Sequence, residues 1–344
     1  MSESELINTA RLLVNAGKGL LAMDESIGTC NKRFATLGIA QTKEQRRGWR
    51  ELITTTPCLA DSISGVILCD ETIHQRTQDG TPFVEVLIAA GIIPGIKVDA
   101  GTKPLAGWPG EKITEGLDGL RERLSAYAGM GARFAKWRAV ITLGDGLPSL
   151  GCIEANAQVL ARYAALCQEA GIVPIVEPEV LMTGAHTLEQ CRKVTEEVLH
   201  CVFNHLYNQN VMLEGIILKP NMVLPGLNCP TQESVDEVAV ATLACFLRTV
   251  PAAVAGIAFL SGGQSAQLAS ARLNAINMLA RSPQSRAPWP LVFSYSRALQ
   301  QPALEIWQGK ADRTNITAAQ DLLRHRLHCN RAALRGEYSA DLES

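Results

Sequence analysis

Eight short apolar runs recur along the chain, and each closes on polar or charged residues. The first three are Gly19-Leu-Leu-Ala-Met-Asp-Glu-Ser26, Gly65-Val-Ile-Leu-Cys-Asp-Glu71 and Ile92-Ile-Pro-Gly-Ile-Lys-Val-Asp99. Ala132-Arg-Phe-Ala-Lys-Trp-Arg138, Ile172-Val-Pro-Ile-Val-Glu-Pro-Glu179 and Leu213-Glu-Gly-Ile-Ile-Leu-Lys-Pro-Asn221 follow. The last two are Gly256-Ile-Ala-Phe-Leu-Ser-Gly-Gly263 and Leu291-Val-Phe-Ser-Tyr-Ser-Arg297. Rich in Ile, Val and Leu and without strict alternation, these runs predict strands buried on both faces of a parallel sheet.

Between successive run ends there is room for a helix and two loops. The spacing predicts helices over 156–170, 187–207, 234–250 and 265–280, with caps such as Thr187 followed by Gln190 and Ser234 followed by Glu237. Eight strand-helix units predict a (β/α)8 barrel, an α/β fold of one domain over 1–344. The barrel is expected over about 17–310, with a C-terminal helix over about 317–335 and a short polar tail. A doubly wound open sheet is the runner-up, but no glycine fingerprint follows the first strand.

In such a barrel the C-terminal strand ends share one face, and chemistry gathers there. Those ends carry Asp24, Glu25, Ser26, Lys97, Lys136, Arg138, Glu177, Glu179, Lys219, Ser261, Gly262, Ser294 and Arg297. Only ten lysines occur in the chain, yet three of them sit at strand ends. Lys219 follows Ile216, Ile217 and Leu218; desolvation there, with a second ammonium nearby, lowers an amine's pKa and makes it a nucleophile toward carbonyls. Ion pairs that merely plug the mouth, such as Lys97 with Asp99, are the plainer alternative for any one lysine. Glu177 and Glu179 lie two apart on an extended strand and so face the same side, where environment can separate their acid and base roles.

Ser261-Gly262-Gly263-Gln264-Ser265 lies where the seventh strand turns into a helix. Paired glycines, a helix N-terminus and Arg297 after the eighth strand together suit a phosphate. A second cationic cluster, Ser26, Thr29, Lys32 and Arg33, follows the first strand. Two such clusters across one mouth suggest a substrate phosphorylated at both ends.

Composition narrows the classes. Hydrophobic residues make up 47% and charged residues 19%, which suits a large buried core and not a disordered chain. A formal net charge of -2 argues against nucleic acid as the main partner. The N-terminus lacks a basic and then apolar export signal, and the most apolar stretch, 238–260, is interrupted by Arg248 and Pro251, so no membrane association is expected. The ten cysteines form no Cys-x-x-Cys pair and read as free thiols in a reducing cytoplasm. The six histidines show no ligand spacing with carboxylates, so neither a metal nor another cofactor is expected.

Met23-Asp-Glu-Ser26, Gly95-Ile-Lys-Val-Asp99, Phe134-Ala-Lys-Trp-Arg138, Val176-Glu-Pro-Glu179, Leu218-Lys-Pro-Asn-Met222, Leu260-Ser-Gly-Gly-Gln-Ser265 and Phe293-Ser-Tyr-Ser-Arg297 resemble motifs of class I fructose-bisphosphate aldolases. The resemblance runs in the family's order from about Leu20 to Tyr338. It implies reversible cleavage of fructose 1,6-bisphosphate to dihydroxyacetone phosphate and glyceraldehyde 3-phosphate, in a cytoplasmic homotetramer acting on sugar phosphates. It further implies Lys219 as the Schiff-base lysine, Glu177 as the proton shuttle and Asp24 as the acceptor of the C4 hydroxyl proton, with Glu179 and Lys136 in support. Ser261, Gly262 and Arg297 are then expected around the C1 phosphate, Ser26, Arg33 and Lys97 near the C6 end, with Arg138 along the site and Ser294 also binding substrate.

Some positions depart from the family's pattern. Ser296 stands where glycine is common, with strain expected if its φ is positive; Thr29 replaces a serine, and Met23 a small residue. The tyrosine-ended tail of animal members is absent, and the six residues after Tyr338 are expected to be an unpacked terminus without a catalytic part. Two other readings compete. A transaldolase-like or dehydratase barrel would share the lysine chemistry without needing two phosphate clusters. A non-catalytic binding protein predicts a damaged site, whereas every charged position is filled.

Overall fold

The computed structural model describes residues 2–15, 17–283 and 285–343. Eight parallel strands close into a barrel in sequence order: Gly19–Ala22, Ile63–Leu68, Ile93–Lys97, Phe134–Ile141, Val173–Val180, Ile217–Leu218, Gly256–Phe259 and Leu291–Tyr295. The first strand pairs with both the second and the eighth, through Leu20 beside Ser294 and Leu21 beside Tyr295. Strand residues are almost all buried, as expected where helices cover one face and side chains fill the other. The eight apolar runs are these eight strands.

Helices Leu188–Asn208, Val235–Thr249 and Ala266–Ala280 agree with the sequence reading to within a residue or two. Thr187 and Ser234 form the expected capping boxes with Gln190 and Glu237. Helix Leu150–Glu169 begins six residues before the expected start. There Ser149 caps the amide of Cys152 at 3.1 Å and is itself held by Glu111, a contact no local pattern announces. The C-terminal helix likewise starts early, at Arg313, because Asp312 Oδ1 accepts from the amide of Asn315 at 2.9 Å. Among the described residues no helix is long and apolar enough to cross a membrane.

An N-terminal helix, Glu3–Val14, was not legible among the strand signals. It packs against the strands at the end of the barrel opposite the strand C-termini, and Ser64 Oγ donates to the Leu13 carbonyl at 2.6 Å. Two glycines admit it. A Cβ on Gly65 would lie 2.6 Å from Leu13, and one on Gly256 would lie 2.8 Å from Val14.

The tail differs from expectation. Residues 339–341 are exposed, but Leu342 and Glu343 are half-buried, within a short turn at Ala340–Glu343. Glu343 ion-pairs with the buried Arg326 and accepts the Tyr338 hydroxyl at 2.7 Å, while the Tyr338 amide donates to Asn274 at 3.0 Å. A guanidinium in a dry interface is costly unless paired, and the tail supplies the carboxylate that pairs it. Ser344, also counted in the expected tail, lies outside the described residues.

Glu343→Gln is therefore expected to lower stability by about 2 kcal/mol, the scale of a hydrogen bond to a charged group, measured by urea unfolding at pH 7. Burial alone would raise the Glu343 pKa, but its bonds to Arg326 and Tyr338 outweigh that and hold it below the ordinary 4.5. The difference between parent and variant is thus full above that value and disappears as pH falls through the lower folded one. Equal midpoints at pH 7 would mean that the tail contact contributes nothing.

Candidate active site

The C-terminal ends of the strands and the loops that follow them place the candidate side chains around one cavity of about 800 Å³ at the barrel mouth. All thirteen residues singled out from the sequence line it: Asp24, Ser26, Arg33, Lys97, Lys136, Arg138, Glu177, Glu179, Lys219, Ser261, Gly262, Ser294 and Arg297. Barrel topology explains the convergence, since parallel strands end on the same face whatever their distance in sequence.

At the floor lies a buried chain of alternating charge. Lys219 Nζ is 3.3 Å from Glu177 Oε1, and Lys136 Nζ is 3.0 Å from Glu177 Oε2 and 2.7 Å from Asp24 Oδ2. All four side chains are less than a tenth exposed. Burial disfavours every one of these charges, yet the outcomes differ. For Asp24, burial is outweighed by Lys136, Lys219 and Lys97, which hold the carboxyl well below its ordinary range. Glu177 is lowered in the same way by Lys136, Lys219 and Arg138. Lys136, with Asp24, Glu177 and Asp99 around it, is held firmly protonated despite burial. Only Lys219 moves toward the neutral amine, because burial and the Lys136 ammonium together exceed the pull of Glu177 and Asp24.

The two carboxylates of Glu177-Pro-Glu179 face the mouth together but serve different partners. Glu179 accepts from Arg138 Nε at 2.5 Å and makes no ion pair with a lysine among the described residues. Support of the lysine pair, expected of Glu179 jointly with Lys136, thus falls to Asp24 in this arrangement. Lys97 is held by Asp99, through Oδ1 at 2.6 Å and the carbonyl at 2.9 Å, the plainer of its two readings.

Over the seventh and eighth strands the groups suit an anion. Gly262 and Gly263 adopt φ of 60° and 90°, a conformation that side chains rarely tolerate. The helix Ala266–Ala280 begins just beyond, capped by Ser265. Arg297 has no ion-pair partner among the described residues; burial and the charges of Arg33 and Arg138 push its pKa down, so an incoming anion would relieve all three. Ser294 Oγ is buried without a hydrogen-bond partner and points to the same need.

The cluster after the first strand is not across the mouth from this site, as the sequence suggested, but beside it. Closure of the barrel brings the first strand against the eighth, and both Arg33 guanidinium nitrogens donate to Ser296 Oγ, at 3.2 and 3.3 Å. Ser26 also caps its own helix, accepting from the Thr29 amide at 3.3 Å. Ser296 has φ −109°, so the strain expected for a positive φ does not arise. Its hydroxyl donates to Glu25 Oε1 at 2.6 Å.

Glu25 is the functional-site residue to which sequence reasoning assigned no role. Its buried carboxylate meets Arg33 at 2.5 Å, Arg50 at 2.7 Å and the Gln300 amide at 3.0 Å. Two guanidiniums outweigh burial and hold it at about 2. Arg33 lies 8 positions away, but Arg50 and Gln300 lie 25 and 275 away, and no spacing could have signalled those contacts. Histidines also gather with carboxylates despite their sequence separation: His205 Nε2 is 2.6 Å from Glu154 Oε2.

The family model described as fructose-bisphosphate aldolase class-I matches residues 5–344. A probable fructose-bisphosphate aldolase class 1 of Xanthomonas axonopodis pv. citri (strain 306) is 54% identical over 98% of this chain and 99% of its own. The cytosolic fructose-bisphosphate aldolase 4 of Arabidopsis thaliana is 48% identical, over 98% of this chain and 85% of its own. Among solved structures, fructose-bisphosphate aldolase from Plasmodium falciparum, in complex with TRAP and a small-molecule inhibitor, superposes with a TM-score of 0.94 at 46% identity. That match covers 98% of this chain and 96% of the other.

The charge chain makes the Lys219 amine depend on Lys136. In Lys136→Met, one repelling ammonium is lost and two carboxylates are freed to hold the Lys219 proton, so both effects raise the Lys219 pKa. Labelling by a small aldehyde and borohydride, followed on the Leu218-Lys219-Pro220 peptide as a function of pH, is expected to shift upward by about one unit or more. An unchanged or lower midpoint would contradict this electrostatic account.

Proposed function

This chain belongs to the class I fructose-bisphosphate aldolases, which cleave fructose 1,6-bisphosphate reversibly through a lysine Schiff base, and we propose that Lys219 is that lysine and Glu177 its proton carrier. The observation that carries the assignment is the Lys219–Glu177–Lys136–Asp24 chain, in which Lys219 alone is shifted toward the neutral amine.

Lys219 attacks the C2 carbonyl, and the proton shed by the attacking amine passes to the adjacent Glu177 carboxylate. Glu177 returns it to the C2 alkoxide to give the carbinolamine. A second proton, which Glu177 takes from solvent, goes to the C2 hydroxyl, which leaves as water and forms the iminium. The positive nitrogen is the electron sink: Asp24 accepts the C4 hydroxyl proton, the C3–C4 bond breaks, and its electron pair moves into the enamine. Glyceraldehyde 3-phosphate leaves. Protonation at C3 and hydrolysis release dihydroxyacetone phosphate and restore the amine. Lys136 stays charged throughout and keeps Asp24 and Glu177 ionised between proton transfers.

Ser261, Gly262, Ser294 and Arg297 receive the C1 phosphate. Lys97 and Ser26 receive the C6 phosphate, Arg33 stands between the two groups, and Arg138 with Glu179 closes the rim. The protein works in the cytoplasm as a homotetramer. The cytosolic names of its plant relatives support the location, and large exposed side chains on the outer helices, among them Leu150 and Tyr207, support an assembly.

Incubation with dihydroxyacetone phosphate and borohydride is expected to leave a reduced adduct on the peptide containing Lys219, read by mass spectrometry. An adduct on Lys136 would overturn the assignment.

Glu177→Gln keeps volume and hydrogen bonding but cannot carry a proton. It is expected to slow Schiff-base formation and dehydration by about 10²–10⁴-fold with the fold retained by circular dichroism. Turnover near that of the parent would move the role to another carboxylate.

A further inference from the structure

Away from the barrel mouth, three donor side chains of different chemistry meet between two neighbouring outer helices. Glu154 projects from Leu150–Glu169, and Cys201 and His205 project from Leu188–Asn208. Cys201 and His205 are four residues apart, one helical turn, and so lie on one face. The carboxylate oxygen, sulfur and imidazole nitrogen all lie within 4.8 Å of one another, with His205 Nε2 2.6 Å from Glu154 Oε2. None of the three lines the catalytic cavity.

We propose that Glu154, Cys201 and His205 form a zinc-binding site, with water completing a tetrahedral shell. A sulfur, nitrogen and oxygen set suits a borderline cation such as zinc, whereas magnesium and calcium select oxygen alone. Zinc–donor bonds of about 2.0–2.3 Å imply donor separations of roughly 3.3–3.7 Å. The Glu154–His205 pair would open from 2.6 Å, and the distances to the sulfur, none above 4.8 Å, would adjust by side-chain rotation on two helices that already pack together.

The local field favours a cation. Glu154 and Glu197 are the charged groups nearest Cys201, so the charge around it is negative. On binding, the thiol gives its proton to solvent as the zinc–sulfur bond forms, so about one proton leaves per metal ion. A second group, His325, Cys329 and Glu343, has comparable spacing but a different field. There the Arg326 guanidinium and the Tyr338 hydroxyl occupy both oxygens of Glu343, and a fixed positive charge stands at the site. That group is the internal control.

Zinc chloride is titrated calorimetrically into the chelator-stripped full-length protein near pH 7.5, in two buffers of different ionisation heat. One equivalent is expected to bind with release of about one proton, and a thiolate-to-metal charge-transfer band is expected with cobalt. Cys201→Ser and His205→Gln are each expected to weaken that equivalent more than tenfold and to remove the zinc-induced rise in thermal midpoint. Cys329→Ser is expected to change neither. Circular dichroism of the metal-free variants establishes that they fold. Failure of the parent to bind zinc, or binding unaltered in folded Cys201→Ser and His205→Gln, would overturn the proposal, and loss in Cys329→Ser alone would assign the metal to the other group. None of these outcomes bears on the aldol reaction, which is assayed separately.

Discussion

The site depends on an imbalance of charge among side chains that the barrel leaves less than a tenth exposed. Two carboxylates, Asp24 and Glu177, and two amines, Lys136 and Lys219, share the floor of the barrel mouth within 3.3 Å of their neighbours. In a medium of low polarity each ion is tolerated only for its partners. Lys136 lies between both carboxylates and keeps its proton, whereas Lys219 reaches only the far oxygen of one of them. A difference of one ion-pair partner therefore separates a permanent cation from a nucleophile, although both are lysines at the ends of apolar strands.

A comparable asymmetry governs the guanidiniums at the rim. Glu25 neutralises Arg33 and Arg50 from beneath, with Ser296 and Gln300 taking up its remaining capacity. Arg138 has Glu179. Arg297 has no such partner among the described residues and faces the Gly262-Gly263 turn, so the rim's net positive charge is concentrated where a phosphate can answer it. Pairing of the other rim arginines, Arg33 and Arg138, is what leaves this one available.

The scaffold meets these demands from both ends. Helix Glu3–Val14 packs against the far end of the barrel through the space that Gly65 and Gly256 leave. At the other extreme of the chain, Glu343 and Tyr338 return to the buried Arg326. Neither contact touches substrate-facing atoms, yet both fix helices that the barrel strands lean on.

The sequence by itself determined the barrel and the membership of its mouth. Buried parallel strands announce themselves as unbroken apolar runs, and their shared direction carries each terminal residue to one face, so reading eight run ends was enough to collect Asp24, Lys136, Glu177, Lys219 and Arg297. Helix caps such as Thr187 and Ser234 were legible for the same reason: the signal lies within four residues. Pairing was not legible. Glu177 serves Lys136 and Glu179 serves Arg138 because each pair runs diagonally, two residues beyond the register partner, which is Ile175 for Lys136 and Glu177 for Arg138. Closure of the first strand on the eighth brought Arg33 to Ser296, and helix packing brought Glu154 to Cys201 and His205. Only the tertiary structure decided these, because ion pairs and ligand sets depend on distances of a few ångströms between residues whose separation along the chain carries no information about them.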